Sequence, residues 1–426
     1  MERKRVMKIG LVVLLALSLV ALLFGACAPK AEVVPEEGKA VVIGCITDMT
    51  GPASGTTLPM FQGSSDYFKW LNREKGGIEY LDPKTGTTER VKVKFRWGDN
   101  KGSVAACAST YERMYAEGML FLEMFATVAA VGTEKQLKRD HIPAISMGAG
   151  ADTLDPTGWI YATSPTQSQS LGLFMEWIAK NWKGAEPPKL AVLTWDNAWG
   201  RAVLTDEVAA FAEKVGVNLV SRDIMPFFPV DMTTQLVNIR DKDADYLWLV
   251  PIAAPSAVVL KDIKRLGMEI QTAGAPSGST DDIITMGGEA SEGHIMCLFT
   301  AWPEDEHIPL VKVAKVEAVK NRPDEPYILS HLWGIVGAVV SKEAVKRALE
   351  ENGDPVTSDD VKSALTNMKN YECEGLILPD TWEPGDTLRA HLGMKSMGFC
   401  QVKGGKKVDI AEPMPLPYET LPGEGL

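Results

Sequence analysis

The sequence predicts an α/β fold made of two doubly wound parallel-sheet lobes. Three observations predict it. From Val41 onward, short β-rich runs alternate with amphipathic stretches long enough to be helices, the pattern of parallel sheets covered by helices. That alternation restarts after Tyr161 as a second series of the same kind. The chain of 426 residues, 45% apolar and 23% charged, has ordinary globular composition and is long enough for two or three cores. Collagen-like, disordered and multi-span membrane classes are excluded by the same composition. With 44 Lys plus Arg against 56 Asp plus Glu and a net charge of −12, the chain lacks the basic balance that phosphate contacts need, so nucleic acid is not an expected partner.

In the first series the apolar runs 41–46, 91–97, 119–125 and 142–146 read as strands. Helices are expected between them near 59–75, 103–117 and 130–139. The second series places strands at 190–195, 217–225, 245–251, 270–273 and 295–299, with helices near 167–182, 200–215, 231–241 and 255–266. Residues 309–369 are more helical, with the apolar face GIVGAVV at 334–340. The tail from Cys373 is rich in Pro and Gly and is expected to add irregular strands. In open α/β sheets ligands bind beyond the carboxyl ends of the strands, so two facing lobes would share a cleft.

The N-terminus carries an address. Arg3, Lys4, Arg5 and Lys8 precede an apolar run from Ile9 to Phe24 and then Gly25, Ala26 and Cys27, the order of a secretory signal. The run is shorter than the roughly 20 residues that span a bilayer. Gly25 and Ala26 before Cys27 resemble the lipobox of bacterial lipoproteins, which implies cleavage after residue 26 and acylation of Cys27. Residues 27–39, with Pro29 and Pro35 and no apolar periodicity, read as a flexible linker between lipid and domain. The expected location is periplasmic or at the cell surface, tethered to a membrane by lipid.

Five further cysteines, Cys45, Cys107, Cys297, Cys373 and Cys400, show no metal-ligand spacing, and no metal or cofactor is expected. Cys373 and Cys400 flank one loop-rich segment, where a disulfide and a pair of buried thiols are both open readings.

An ordered set of short motifs carries a family resemblance: VVIGCITDMTGPA at 41–53, NREKGG at 72–77, WGDN at 97–100, IPAIS at 142–146, WDNAWG at 195–200, FPVDMTTQ at 228–235, DADYLWL at 243–249 and IKRLG at 263–267. In order and spacing, over roughly residues 41–370, they resemble the periplasmic solute-binding proteins of ABC importers, of the branched-chain amino-acid (leucine, isoleucine, valine) type. The resemblance implies the type I fold, in which three hinge crossings join two lobes that close on a solute. Here it places the crossings near 161–166, 297–303 and 370–376. Lobe 1 would be 40–162 completed by 300–372, and lobe 2 163–299 completed by 373–426. It also implies a monomer that delivers its small-molecule solute to ABC permease membrane subunits.

Carried over by position, Thr127 matches the hydroxyl that holds a solute carboxylate, and Gly148 and Gly150 match backbone donors and acceptors after the fourth strand. A hydroxyl with free amides holds an anion without a formal positive charge. Thr127 as a simple helix cap is the competing reading. Thr56 falls where the side-chain pocket is lined, or on an exposed loop. Trp199 falls where an aromatic closes over the solute, or packs between helix and sheet. Asp196 and Asn197 share that loop, as polar contacts or as turn formers. Two positions depart from amino-acid binders. Segment 250–255 has no tyrosine, and Ser277 stands where an acidic residue commonly pairs with an α-ammonium, though Asp281 or Asp282 would restore that role if the loop is offset. A buried ammonium without a carboxylate is costly, so a small carboxylate, an amide or an aromatic acid competes with leucine-like solutes.

Enzymatic signatures are missing. GAGADT at 148–153 lacks the third glycine of a dinucleotide fingerprint and follows the fourth strand, not the first. No nucleophile elbow, phosphate loop or His-Glu-x-x-His pair occurs, and His141, His294, His307, His331 and His391 have no ligand spacing. The expectation is a binding protein and not an enzyme, with a ligand-sensing receptor module that signals to a separate membrane partner as the alternative.

Overall fold

Strand β1, Ala40–Thr47, is a nearly continuous apolar run, as a strand buried on both faces must be, and only its first residue is not buried. The structure, a computed structural model, describes residues 39–421 apart from 149, 151–153, 155–157 and 386. The signal segment 1–26, Cys27 and the linker through residue 38 lie outside the described residues.

Around β1 the first sheet gathers β2 (Ile78–Leu81), β3 (Thr88–Asp99), β4 (Met119–Met124), β5 (Ala144–Ser146) and β6 (Ile160–Ala162), in the order β2-β3-β1-β4-β5-β6. β1 pairs in parallel with β3 and β4, and β5 and β6 continue the parallel ladder, while β2 is an antiparallel edge. The crossovers are helices α1 (Ser54–Trp70), α2 (Val104–Ala116) and α3 (Thr127–Asp140).

The second sheet repeats the plan. Helix α4 (Gln167–Asn181) leads into β7 (Lys189–Trp195). The short α5 (Ala198–Arg201) and α6 (Asp206–Val215) precede β8 (Asn218–Met225), and α7 (Thr233–Arg240) precedes β9 (Tyr246–Leu249). Then come α8 (Ala253–Arg265), β10 (Gln271–Gly274), α9 (Asp282–Gly287) and β11 (Ile295–Leu298). Strand order is β13-β12-β11-β10-β9-β7-β8, where β12 (Ser396–Lys403) and β13 (Lys406–Pro415) form an antiparallel hairpin on β11. Gly404 and Gly405, both at positive φ, make its two-residue turn, and its ladder shifts register between Met397 and Phe399 and between Phe399 and Cys400, so the tail adds irregular strands as expected from the sequence. In each sheet the strand that starts the series has its crossover neighbours on opposite sides, and the strand order reverses beside it. That is the topological switch point where ligand crevices form.

Between β11 and β12 the chain builds α10 (Pro309–Asn321), α11 (Leu329–Asn352), α12 (Ser358–Thr366) and a short α13 (Leu388–His391). The backbones of α1 and α11 nearly touch: a Cβ on Gly334 would lie 1.7 Å from the Met60 carbonyl oxygen, and one on Gly63 2.0 Å from that of His331. Beneath this contact Glu123 is fully buried, accepting hydrogen bonds from the Ser64 hydroxyl at 2.6 Å and the Ser341 hydroxyl at 2.7 Å. Burial raises its carboxyl to about 8 despite those two donors. The return passage to β12 runs between the sheets. Bridges Thr300–Ile377, Tyr371–Asp380, Asp380–Met394 and Ala162–Leu392 stitch it in place, and the Trp382 indole donates to the Ala162 carbonyl at 3.0 Å.

All five described cysteines are buried and free. Cys373 and Cys400 are therefore separate thiols, and burial pushes every one of the five above its ordinary range.

Candidate functional site

The carboxyl ends of both sheets open on one cavity of about 330 Å³, at the small end of the roughly 300–1,000 Å³ typical of small-molecule sites. The first sheet contributes the turn after β1 with the start of α1 (Ala53, Thr56, Thr57, Met60), and the turn after β4 with the start of α3 (Phe125, Ala126, Thr127, Val128). The second sheet contributes Trp195, Asn197, Ala198 and Trp199 after β7, Ile252 before α8, and Pro276 with Ser277 after β10. Ser164, Pro165, Gln167 and Phe299 come from the segments joining the sheets, and Trp333 from α11. The cavity thus lies at the switch points of both sheets.

Its first wall is held rigidly. The Asp48 carboxylate accepts from the amides of Gly51 and Ala53, and the Thr57 hydroxyl donates to the Asp48 carbonyl, which fixes the approach to α1. Asp99 steadies the same turn. Burial opposes its ionised form, but donation from the amides of Met49 and Lys101 and the Thr50 hydroxyl holds its carboxyl below the ordinary range.

Thr127 opens α3, and its hydroxyl donates to the Gly148 carbonyl. Gly148 has φ +124°, a conformation that side-chain-bearing residues rarely adopt, so glycine is what lets this carbonyl reach Thr127. Three helices begin at the cavity wall with N-cap residues Ala53, Ala126 and Ile252, none of which makes a side-chain cap bond. The first amides of a helix lack intrahelical partners and carry partial positive charge, so the ends of α3 and α8 favour an anionic or acceptor group, while that of α1 already faces the Asp48 carboxylate.

Most of the remaining surface is hydrocarbon. Trp195 and Trp199 lie 5.7 Å apart between ring centroids, and Phe299 stacks on Trp333 at 5.6 Å. The Trp195 indole N–H donates to the Pro226 carbonyl and that of Trp333 to the Thr300 hydroxyl. With those donors bonded to protein, the two rings offer their carbon faces. Among the described residues no Asp, Glu, Lys, Arg or His side chain lines the cavity. Gln167 lines it while only 4% exposed, and its amide oxygen has no hydrogen-bond partner.

Of the residues singled out in the sequence, Thr56, Thr127, Gly148, Trp199 and Ser277 line this one cavity, whereas Gly150 is buried but does not line it. Ser277 donates to the Val250 carbonyl at 3.5 Å. Asn197 lines the cavity and also caps α5, accepting from the Gly200 amide at 2.7 Å, while Asp196 pairs with Arg201 on the exterior. Asp281 accepts from the Leu329 amide at 2.9 Å, and neither it nor Asp282 lines the cavity. Burial raises the carboxyl of each. Sequence reasoning missed Phe125, Gln167, Trp195, Phe299 and Trp333. Only Trp195, inside the WDNAWG motif, carried a local signal. Among the described residues no group of His, Cys, Asp and Glu is placed to hold a metal ion.

Residues 40–407 match the model of a family described as periplasmic binding protein. Comparison with curated proteins finds no match. Among solved structures, a branched chain amino acid ABC transporter from Thermus thermophilus with bound valine is similar, at 23% identity and TM-score 0.77 over 90% of this chain and 98% of that one. A fatty acid ABC transporter substrate-binding protein from Thermomonospora curvata is 16% identical, with TM-score 0.73 over 90% of this chain and 94% of its own. A solute binding protein of an ABC transporter from Rhodopseudomonas palustris BisB5, in complex with 3,4-dihydroxy benzoic acid, is 19% identical, with TM-score 0.70 over 89% and 98%.

Proposed function

The chain belongs to the periplasmic binding protein family, and from that premise we propose that it captures a small solute between its two sheets and delivers it to the permease subunits of an ABC importer. The observation that carries this reading is the single cavity lined from the carboxyl ends of both sheets. A solute touching both walls favours the closed form by its differential affinity for it, and closure is the signal a permease reads. The similar solved structures, an ABC transporter with bound valine and two ABC transporter binding proteins, support the same role.

Within this reading Thr56, Thr127, Gly148, Trp199 and Ser277 contact the solute. The protein works as a monomer outside the cytoplasm, tethered through an acylated Cys27. The basic, apolar and small-residue order of residues 3–27 supports that tether. Two buried acyl chains, at about 0.8 kcal/mol per methylene, make a stable anchor.

Two measurements test the function. A thermal-shift screen over amino acids, amides, fatty acids and aromatic acids should find a solute that raises the melting temperature, because a ligand at 100 times its Kd stabilises the folded state by about 2.7 kcal/mol. Deleting the gene should abolish import of that solute, and unchanged uptake would reject the transport role in favour of a sensor. Trp199 should report the event, so the fluorescence change on titration should shrink in Trp199→Phe.

A further inference from the structure

We propose that the solute is a hydroxylated aromatic carboxylate without an ammonium group, which deepens the binding function above and rests on it. Three features of the cavity lead there. The first is electrostatic. A bound α-amino acid brings an ammonium, and among the described residues no carboxylate lines the cavity to meet it. The nearest candidates in sequence are turned to other work, Asp281 to the Leu329 amide, and Asp282 away from the cavity lining. A buried cation without a counter-charge is strongly disfavoured. A carboxylate is not, because α3 and α8 present amino ends with no side-chain cap bond to the same space, with the Thr127 hydroxyl beside the first of them.

The second feature is shape. Phe125, Trp195, Trp199, Phe299 and Trp333 surround the cavity, two of them with their indole N–H groups already bonded elsewhere. Aromatic faces at this density suit a flat ring in offset or edge-to-face packing. The third is Gln167, which lines the cavity and whose buried amide oxygen has no partner. A buried acceptor left unpaired is costly, and a solute that donates one hydrogen bond removes that cost. A phenolic hydroxyl supplies one donor and no charge. An ammonium would bring three donors and a full positive charge to the same acceptor.

Isothermal calorimetry on the full-length protein in detergent tests this with matched probes. The acids are 4-hydroxybenzoate, 4-hydroxyphenylacetate and 3-(4-hydroxyphenyl)propanoate. Tyrosine differs from the last by its ammonium alone, 3-phenylpropanoate differs by its missing hydroxyl, and leucine and valine serve as aliphatic amino acids. The expected result is that at least one hydroxy acid binds tenfold or more tightly than every amino acid. Gln167→Leu should then lose the preference for 3-(4-hydroxyphenyl)propanoate over 3-phenylpropanoate. An amino acid binding as tightly as the acids overturns the inference while leaving the solute-binding function intact. So does a hit from a broad thermal-shift screen when all three hydroxy acids fail. Absence of binding by any compound in that screen overturns both. Retention of the hydroxyl preference in Gln167→Leu overturns the assignment of that residue.

Discussion

Thr127 and Glu123 sit four residues apart and illustrate two fates of a buried polar group. The Thr127 hydroxyl is spent on the Gly148 carbonyl in the structure, and it can turn to a solute oxygen without leaving its helix end. Thr127→Ala should weaken solute binding by about 1.5–3 kcal/mol, the worth of a hydrogen bond to a charged group, read by calorimetry with the melting temperature as a control on folding. Glu123 is sealed under α1 and α11, and its carboxyl lies at about 8 against an ordinary 4.5. Between those values the folded form holds a proton that the unfolded form has lost, so stability falls as pH rises through the window, by about 1.4 kcal/mol per pH unit. Below the window both forms are protonated and the group is neutral in effect. Glu123→Gln should therefore gain on the wild type progressively from pH 5 to pH 8 in urea titrations. The cavity-lining residues were legible where the resemblance placed them by position, as with Thr127, or where a motif held them, as with Trp199. Gln167 was not, because its significance lies in a missing partner, which only packing reveals.

At the scale of elements, the contact between α1 and α11 decides how closely the first sheet is covered. Gly334 lies against the Met60 carbonyl with no room for a methyl group, and its neighbour Trp333 lines the cavity. Gly334→Ala should force the helices apart, costing about 3 kcal/mol or more in chemical denaturation, at the upper end of overpacking penalties, and it should also disturb solute affinity. Parallel strands that are unbroken apolar runs were legible, as β1 and β7 show, whereas the three-residue β6 was too short to stand out. Strand β2 was not, since its four residues alternate buried and exposed and read as part of a loop. The β12–β13 hairpin was hidden by the charged, proline-bearing sequence of β13, with the Gly404–Gly405 pair its one local cue. The helix expected over 200–215 is split because Thr205 starts α6 afresh, its side chain accepting from the Val208 amide.

For the molecule as a whole, two doubly wound sheets bring loops from distant parts of the chain to one place, and Trp333 joins Thr56 only through that folding. Periodicity therefore announces two lobes but not the wall they share. The same burial sets the acid limit of the fold. His294 and His331 are held neutral by burial at about 4 each, against an ordinary 6.5. Above 6.5 neither contributes to pH dependence. As pH drops from 6.5 towards 4 the unfolded chain binds protons that the folded chain refuses, and stability declines. Over part of that range the buried carboxyl of Glu123 works in the opposite direction, so the check is the difference between proteins: in urea titrations His294→Asn should gain on the wild type as pH falls from 6.5 towards 4.

The five sealed thiols give the protein a built-in stopwatch. A thiol-reactive dye added to the intact fold has nothing within reach among the described residues, so each labelling event marks a moment when some region opened. Cys45 and Cys107 would time the half built on the first sheet, and Cys297 and Cys400 the half built on the second. Comparing their labelling rates with and without cargo would show which half the cargo holds shut.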